Sequence, residues 1–398
     1  MIHIFSKFVL LYLFLILCLL NGKSWSTSVI QSGVIKDDTP IYYLPEDVLK
    51  QLQKELDDMV FISGGGTLDN FTKYYDQLTA TEKEIYNIIY QGSIKSPPDL
   101  EFLYIFDDTT DHLPIEDVHE KISSMMRNIY TILGFEHPEL WWIERYGYSL
   151  SYYLNTFVYN VTISTKPSYS LFNSYTADDI VKITRKMEIM KNDIMKRISD
   201  LNLSTDYGKL KFIHDYIVLK SKYLKDEDRK HIRTVYGTLV ENLCVCAGYA
   251  KAFQYMAHQY NIDCIAAISL THEWNYVKLN NIWYAVDVTW DDPNYSNLET
   301  PSGFGYDKYD FLSHKYFFIG STNLTNYDSE SSHTVTYSMY LKSDNTTYDS
   351  ISYPPISSSD YIPTNQEIED ENKISVAFSS SYIDTKIGKF IIIIIIII

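Results

Sequence analysis

The chain has 398 residues, 45% of them hydrophobic, enough to bury a sizeable core in one large domain or two ordinary ones. Its 34 basic residues face 51 acidic ones, a formal net charge of −17. That balance repels phosphate backbones and anionic bilayers, so no nucleic-acid partner is expected, and the acidity reads as a solvated surface rather than a pointer to a substrate.

The N-terminus, "MIHIFSKFVLLYLFLILCLLNGKSWSTS", sets Lys7 before an apolar run from Phe8 to Leu20 and follows it with small and polar residues. This is the pattern of a secretory signal peptide over residues 1–24. The run is shorter than the roughly 20 residues of a membrane helix, so no stable membrane span is expected after cleavage. N-x-S/T acceptors at Asn70, Asn160, Asn202, Asn294, Asn323 and Asn345 fit a secreted, extracellular glycoprotein, with cell-surface association as a variant of that placement. Removal of the leader takes Cys18 with it and leaves Cys244, Cys246 and Cys264. An odd count leaves at least one thiol free, and a free thiol in an exported protein needs a reason. There is no C-x-x-C pair at zinc spacing, so neither a metal nor a cofactor is expected.

Residues 40–200 read as an accessory region of mixed α/β character. A flexible spot at Gly64–Gly66 precedes "TATEKEIYNIIYQGSI", a helix with Thr79 as its cap and Glu82 in its first turn. "RYGYSLSYYLNTFVYNVTISTK" is Tyr-, Val- and Thr-rich and alternates, predicting strands with a turn near Asn155. From Thr176 a long amphipathic helix carries Ile180, Ile183, Met187, Met190, Ile194, Ile198 and Leu201 on one stripe, a core-packing pattern.

Residues 201–327 carry the chemistry. A helix from Tyr207 to Tyr223 contains His214 and Asp215, which as helical neighbours diverge by about 100° and are not expected to face each other. "KDEDRKHIR" reads as a solvated loop. From Cys246, apolar residues recur at Ala250, Phe253, Ala257 and Tyr260, so the thiol sits at a helix start, where unpaired N–H groups and the macrodipole favour a thiolate and can help hold an oxyanion. Gly248 is read as leaving room for an incoming carbonyl group. Cys264 is read as a small core hydrophobe and Cys244 as a distant second to Cys246.

In "THEWNYVKLNNIWYAVDVTWDDP" two strands flank Asn280-Asn281, a pair that tolerates the positive φ of a tight hairpin. With those residues as the loop, Leu279 faces Ile282, and His272 and Asp287 become diagonal neighbours on one face. A nucleophile, a base and a carboxylate to orient the base are the parts of thiol acyl transfer. Asp291 and Asp292, at a Pro-bounded turn, are read as shaping the loop.

"VCAGYAKAF", "HEWNYVKL" and "WYAVDVTWDDP" stand in the order of the transglutaminase-like superfamily, which the chain resembles over about residues 210–293; "KYFFIG" would close the same domain. The resemblance implies an α+β fold with a papain-like core, a catalytic helix packed on an antiparallel sheet, and a catalytic set of Cys246 as nucleophile, His272 as base and then acid, and Asp287 as its orienting partner. It also implies a protein or peptide substrate and a thioester intermediate, resolved by water in a protease or amidase or by an amine in a cross-linking enzyme. The alternative is a catalytically silent extracellular binding or wall-associated module of the same fold. Beyond Asp328, residues 328–398 turn to Ser, Tyr, Asp, Asn and Thr and read as a low-complexity, largely disordered tail ending in "KFIIIIIIII".

Overall fold

The computed structural model of the chain describes residues 33–35, 73–95, 100–144, 146–152, 157–165, 171–224, 229–292, 312–328, 332–339 and 351–378. The expected leader at 1–24, the glycines at 64–66, the turn at Asn155 and the isoleucine end lie outside the described residues. The chain is a mixture of helices and sheets that falls into two units. The smaller is drawn from Met1–Ile35, Phe102–Pro114 and Tyr148–Ile163. It contains a four-stranded sheet of β1 (Gly33–Ile35), β2 (Leu100–Asp107), β3 (Gly147–Tyr152) and β4 (Val158–Thr165) in the order β1-β3-β4-β2. Along β4, Tyr159, Val161 and Ile163 are buried and the residues between them are half-buried, the period-two pattern seen in the sequence.

The larger unit joins Lys36–Glu101, Ile115–Gly147 and Ser164–Ile398. Its helix α1 (Ala80–Lys95) begins as the sequence suggests: the Thr79 hydroxyl accepts from the Glu82 N–H at 3.3 Å and the Glu82 carboxylate accepts from the Thr79 N–H at 2.9 Å. α2 (Ile115–Glu136) buries Val118, Ile122, Met126, Ile129 and Leu133 at helical spacing. α3 (Ala177–Asp200) opens with a second capping box, from Thr176 and Asp179, and buries Ile180, Met187, Ile194 and Ile198. α4 (Asp206–Lys220), capped by Thr205, is buried at every residue from Leu210 to Leu219, so its polar residues must find partners inside the protein.

A short parallel pair, β5 (Lys222–Tyr223) and β6 (Leu243–Cys244), leads into α5 (Cys246–His258). α5 packs on an antiparallel sheet of β7 (Cys264–Ile268), β8 (Glu273–Leu279), β9 (Ile282–Val286) and β10 (Phe317–Ile319), ordered β10-β9-β8-β7. Tyr249, Phe253, Trp274 and Phe318 are fully buried in this layer, a contribution of about 2 kcal/mol each in apolar transfer. Asn280 and Asn281 take φ values of 52° and 64°, and the β8–β9 register runs from Leu279↔Ile282 to Asn275↔Val286, the pairing anticipated from the sequence. The sheet is extended on the far side by β10, the segment read as closing the domain.

Two expectations fail here. The "KDEDRKHIR" stretch is not a solvated loop throughout, since His231 and Ile232 are buried and the His231 ring stacks on Phe172 at 5.2 Å. The tail is not disordered in its described parts. The Thr336 N–H donates to the Ile268 carbonyl at 2.8 Å, and Trp283 bridges to Ile356. The helix over 365–378 places Ile374 and Phe378 in the main core, with Phe378 stacked on Phe212 at 5.2 Å. From that helix Asp370 accepts the Ser204 and Thr205 N–H groups at 3.0 Å each, at the start of α4. Isolated Ile and aromatic residues in a polar background supply these contacts, and average composition hides them. Before the tail, α6 (Ser321–Tyr327) follows β10. Among the described residues no helix is long and apolar enough to cross a membrane.

Candidate active site

Cys246 is the first residue of α5 and is half-buried, whereas Cys244 and Cys264 are buried. The chain enters the helix extended at Val245, whose N–H donates to the Ile232 carbonyl at 2.9 Å. Val245 offers no side-chain acceptor to the first turn, unlike the threonines that start α3 and α4. Of the first-turn N–H groups, that of Gly248 donates to the Val245 carbonyl at 2.9 Å, and no side chain of Val245 caps those of Cys246 and Ala247.

His272 is presented by a tight link between β7 and β8, in which the Ser269 hydroxyl accepts the His272 N–H at 3.0 Å and the Ser269 N–H donates to the His272 carbonyl at 2.8 Å. Asp287 follows β9. Its Oδ1 accepts the N–H groups of Thr289 and Trp290 at 2.9 and 3.1 Å, which fixes the carboxylate, and its Oδ2 lies 2.5 Å from His272 Nε2. The hairpin thus brings together the two residues that the register placed on one face. With Nε2 engaged by Asp287, Nδ1 is the ring nitrogen left for Cys246, whose sulfur favours the charged form of the ring. α5 is tied to the same turn from its far face, because the Tyr249 hydroxyl donates to Asp292 at 2.7 Å.

The electrostatics follow from this packing. Burial alone would disfavour a charged His272, but the adjoining Asp287 carboxylate and the Cys246 sulfur outweigh it and raise the imidazole to about 10. Burial likewise opposes ionisation of Asp287, yet His272 and His333 hold its carboxyl well below the usual carboxylate range. Cys244, by contrast, is pushed up to about 12 by burial and is a poor nucleophile at neutral pH.

Gly248 corrects the sequence reading. A side-chain carbon there would meet Cys244 Cβ at 2.6 Å, the Ile232 carbonyl oxygen at 2.7 Å and Thr238 Oγ1 at 2.8 Å. The missing side chain makes room for the protein's own neighbouring atoms, side chain and backbone, not for a substrate. Gly248→Ala is accordingly expected to lose about 1–3 kcal/mol of stability to overpacking, less the roughly 1 kcal/mol by which a helix favours alanine. Urea unfolding measures the net loss; an unchanged midpoint would contradict it.

Two features were not found from the sequence. The first is His333, whose Nε2 lies 2.9 Å from the same Asp287 oxygen that meets His272. It is surrounded by Trp290, Trp274, Tyr316 and His272, at centroid distances of 4.6, 4.9, 5.8 and 5.3 Å. The alternating "HTVTY" that it begins was the available signal, a strand-like pattern inside a segment read as tail. The second is a buried network under the site. His214 Nδ1 lies 2.9 Å from Asp215 Oδ1, against the expectation that these neighbours diverge, and His214 Nε2 lies 3.2 Å from Asp291 Oδ2. Cα directions do diverge by about 100°, but both side chains are long enough to lean together where the helix is wholly buried. Asp215 also takes Lys211 Nζ at 2.9 Å and His314 Nε2 at 2.7 Å. Asp291 further accepts the Ser313 hydroxyl at 2.7 Å and the Tyr316 N–H at 3.1 Å, so it shapes the loop, as does Asp292.

Each network contains two imidazoles and a carboxylate close enough for a cation to be considered: His272, Asp287 and His333, and His214, Asp215 and His314. Two ligands of one tetrahedral zinc ion stand about 3.3 Å apart, given bonds near 2.0 Å. The contacts at 2.5 and 2.9 Å on Asp287 are proton-sharing distances instead. In the second group the Lys211 ammonium already occupies the cation's place beside Asp215.

No family model matches the sequence, and no curated protein matches it. Solved structures similar to the chain include a crystal structure of a TGase, at 11% identity and a TM-score of 0.24, matched over 56% of this chain and 59% of that one.

Proposed function

We propose that the protein is a secreted, transglutaminase-like cysteine enzyme, centred on residues 201–327, that acts on peptide or carboxamide bonds through a thioester. The reading is supported above all by one set of contacts: His272 Nε2 on Asp287 at 2.5 Å, with the other ring nitrogen left for a half-buried thiol at an uncapped helix start. The apolar leader is the ground for placing its action outside the cell.

With His272 raised to about 10, the imidazolium is the dominant form of the ring at neutral pH, and the Cys246 sulfur beside it is the nucleophile. Cys246 Sγ attacks the carbonyl carbon and the π pair moves to oxygen, beside the first-turn N–H groups of α5. Collapse re-forms the carbonyl and breaks the C–N bond, and His272 Nδ1 gives its proton to the departing ammonia or amine. Water or an amine then attacks the thioester while His272 takes its proton, and the second collapse returns the Cys246 thiolate. Asp287 holds the ring through both transfers and stabilises its cationic form.

The test is mass spectrometry of a glutamine-containing peptide library incubated with the full chain, with and without a small primary amine. Cleaved or deamidated peptides mark hydrolysis, amine adducts mark acyl transfer, and Cys246→Ala must abolish either. Absence of every such product together with absence of an acyl adduct on Cys246 would defeat the reading.

A further inference from the structure

Asp287 serves two imidazoles through one oxygen, His272 at 2.5 Å and His333 at 2.9 Å. A carboxylate only accepts, so both rings must carry a proton on Nε2. The other side of His333 meets a second carboxylate. Asp328 Oδ2 accepts the His333 backbone N–H at 2.6 Å and stands 3.2 Å from Nδ1, a charge contact more than an aligned hydrogen bond, while its Oδ1 accepts the Ser332 N–H at 2.9 Å. The His333 side chain is 3% exposed and Asp328 5%, so water does little to screen them. Among the described residues, the titratable groups facing His333 are Asp287, Asp328, His272 and Tyr316, from four different segments; the neutral rings of Trp274 and Trp290 pack edge-on against it.

We propose that His333 is a positioning residue for the reaction assigned above: an imidazolium clamped between Asp328 and Asp287 that fixes the carboxylate and moderates its hold on the His272 proton. The inference rests on the proposed catalytic role of Cys246, His272 and Asp287. A lone Asp287 would bind the His272 proton with its full charge and resist giving it to a leaving group. Sharing that charge with a fixed cation, at a ring separation of 5.3 Å from His272, weakens the hold without freeing the ring to rotate. The direction of the shifts agrees. Burial opposes a charged His333, but Asp287 and Asp328 outweigh it and raise the ring above its ordinary value, and Asp328 itself, favoured as an anion by His333 despite burial, is held at about 2.

The test uses the full chain and needs no substrate. The rate of Cys246 alkylation by iodoacetamide is measured against pH in the wild type and in His333→Gln, which keeps a donor for Asp287 without the charge. Loss of a nearby cation raises the pH at which the Cys246–His272 pair forms, so the acid limb is expected to move up by about one pH unit. A limb that stays in place while only the height changes would overturn the proposal. Nitrogen-15 histidine spectra of the wild type decide the matter even if the variant fails to fold: His333 must show an imidazolium signature at neutral pH, and a neutral ring would refute it. If wild-type Cys246 alkylates no faster than an ordinary thiol, the enzymatic reading fails, while the charge of His333 is still read from the spectra.

Discussion

Alanine in place of His272 is expected to cut turnover on any accepted amide by roughly 10³-fold or more, about 4 kcal/mol of transition-state stabilisation. The expected size comes from the two tasks assigned to one ring, holding the proton that makes Cys246 a thiolate and delivering it to the leaving group. The same change should slow iodoacetamide labelling of Cys246 at neutral pH by about tenfold or more, because an imidazolium partner no longer stabilises the thiolate. Labelling should be confined to one site in the wild type. Cys244 and Cys264 are 0% and 1% exposed, and burial pushes both thiols up. Peptide mapping of the alkylated chain reads the site and the rate together. Equal labelling of all three thiols, or a His272→Ala rate matching the wild type, would remove the basis for a nucleophile at Cys246.

The central contact was legible through the turn. Asn280 and Asn281 both tolerate positive φ, and with them as the loop the register from Leu279↔Ile282 to Asn275↔Val286 follows; β8 and β9 are buried on both faces, so burial does not choose between registers. The long helix α3 was legible because its stripe and its Thr176 cap point the same way. What could not be read was contact between segments with no shared period. His333 reaches Asp287 across 46 positions of sequence, and Ile232 fills the space at Gly248 from a stretch whose charges suggested solvent. The His214–Asp215 contact was misread by using backbone directions alone, which describe exposed helices well and a fully buried one poorly.

That buried network carries the second large expectation: Asp215→Ala should destabilise the fold by about 3–5 kcal/mol, the usual cost of removing one partner from a buried ionic group. Asp215 is 0% exposed and anchors Lys211, His214 and His314, linking α4 to the segment before β10; through His214 the network reaches Asp291 and the turn that begins at Asp287. The pH dependence follows from the sign of each shift. Burial opposes ionisation of Asp215, but its histidine and lysine partners outweigh it and hold the carboxyl well below its usual range. Its contribution is therefore complete above the unfolded value of about 3.8 and is lost as pH falls towards the folded one. His214 is raised, since Asp215 and Asp291 outweigh burial. Its contribution is complete below the unfolded value of about 6.5 and is lost as pH rises through the folded one. The destabilisation in Asp215→Ala should thus be greatest between about pH 4 and 6.5 and should shrink as pH rises through the raised folded value of His214. Urea unfolding of the variant and the wild type at about pH 5.5 and pH 9 measures the difference. A loss under about 1 kcal/mol at the lower pH, or an equal loss at both, would mean that these side chains are not coupled as their distances imply.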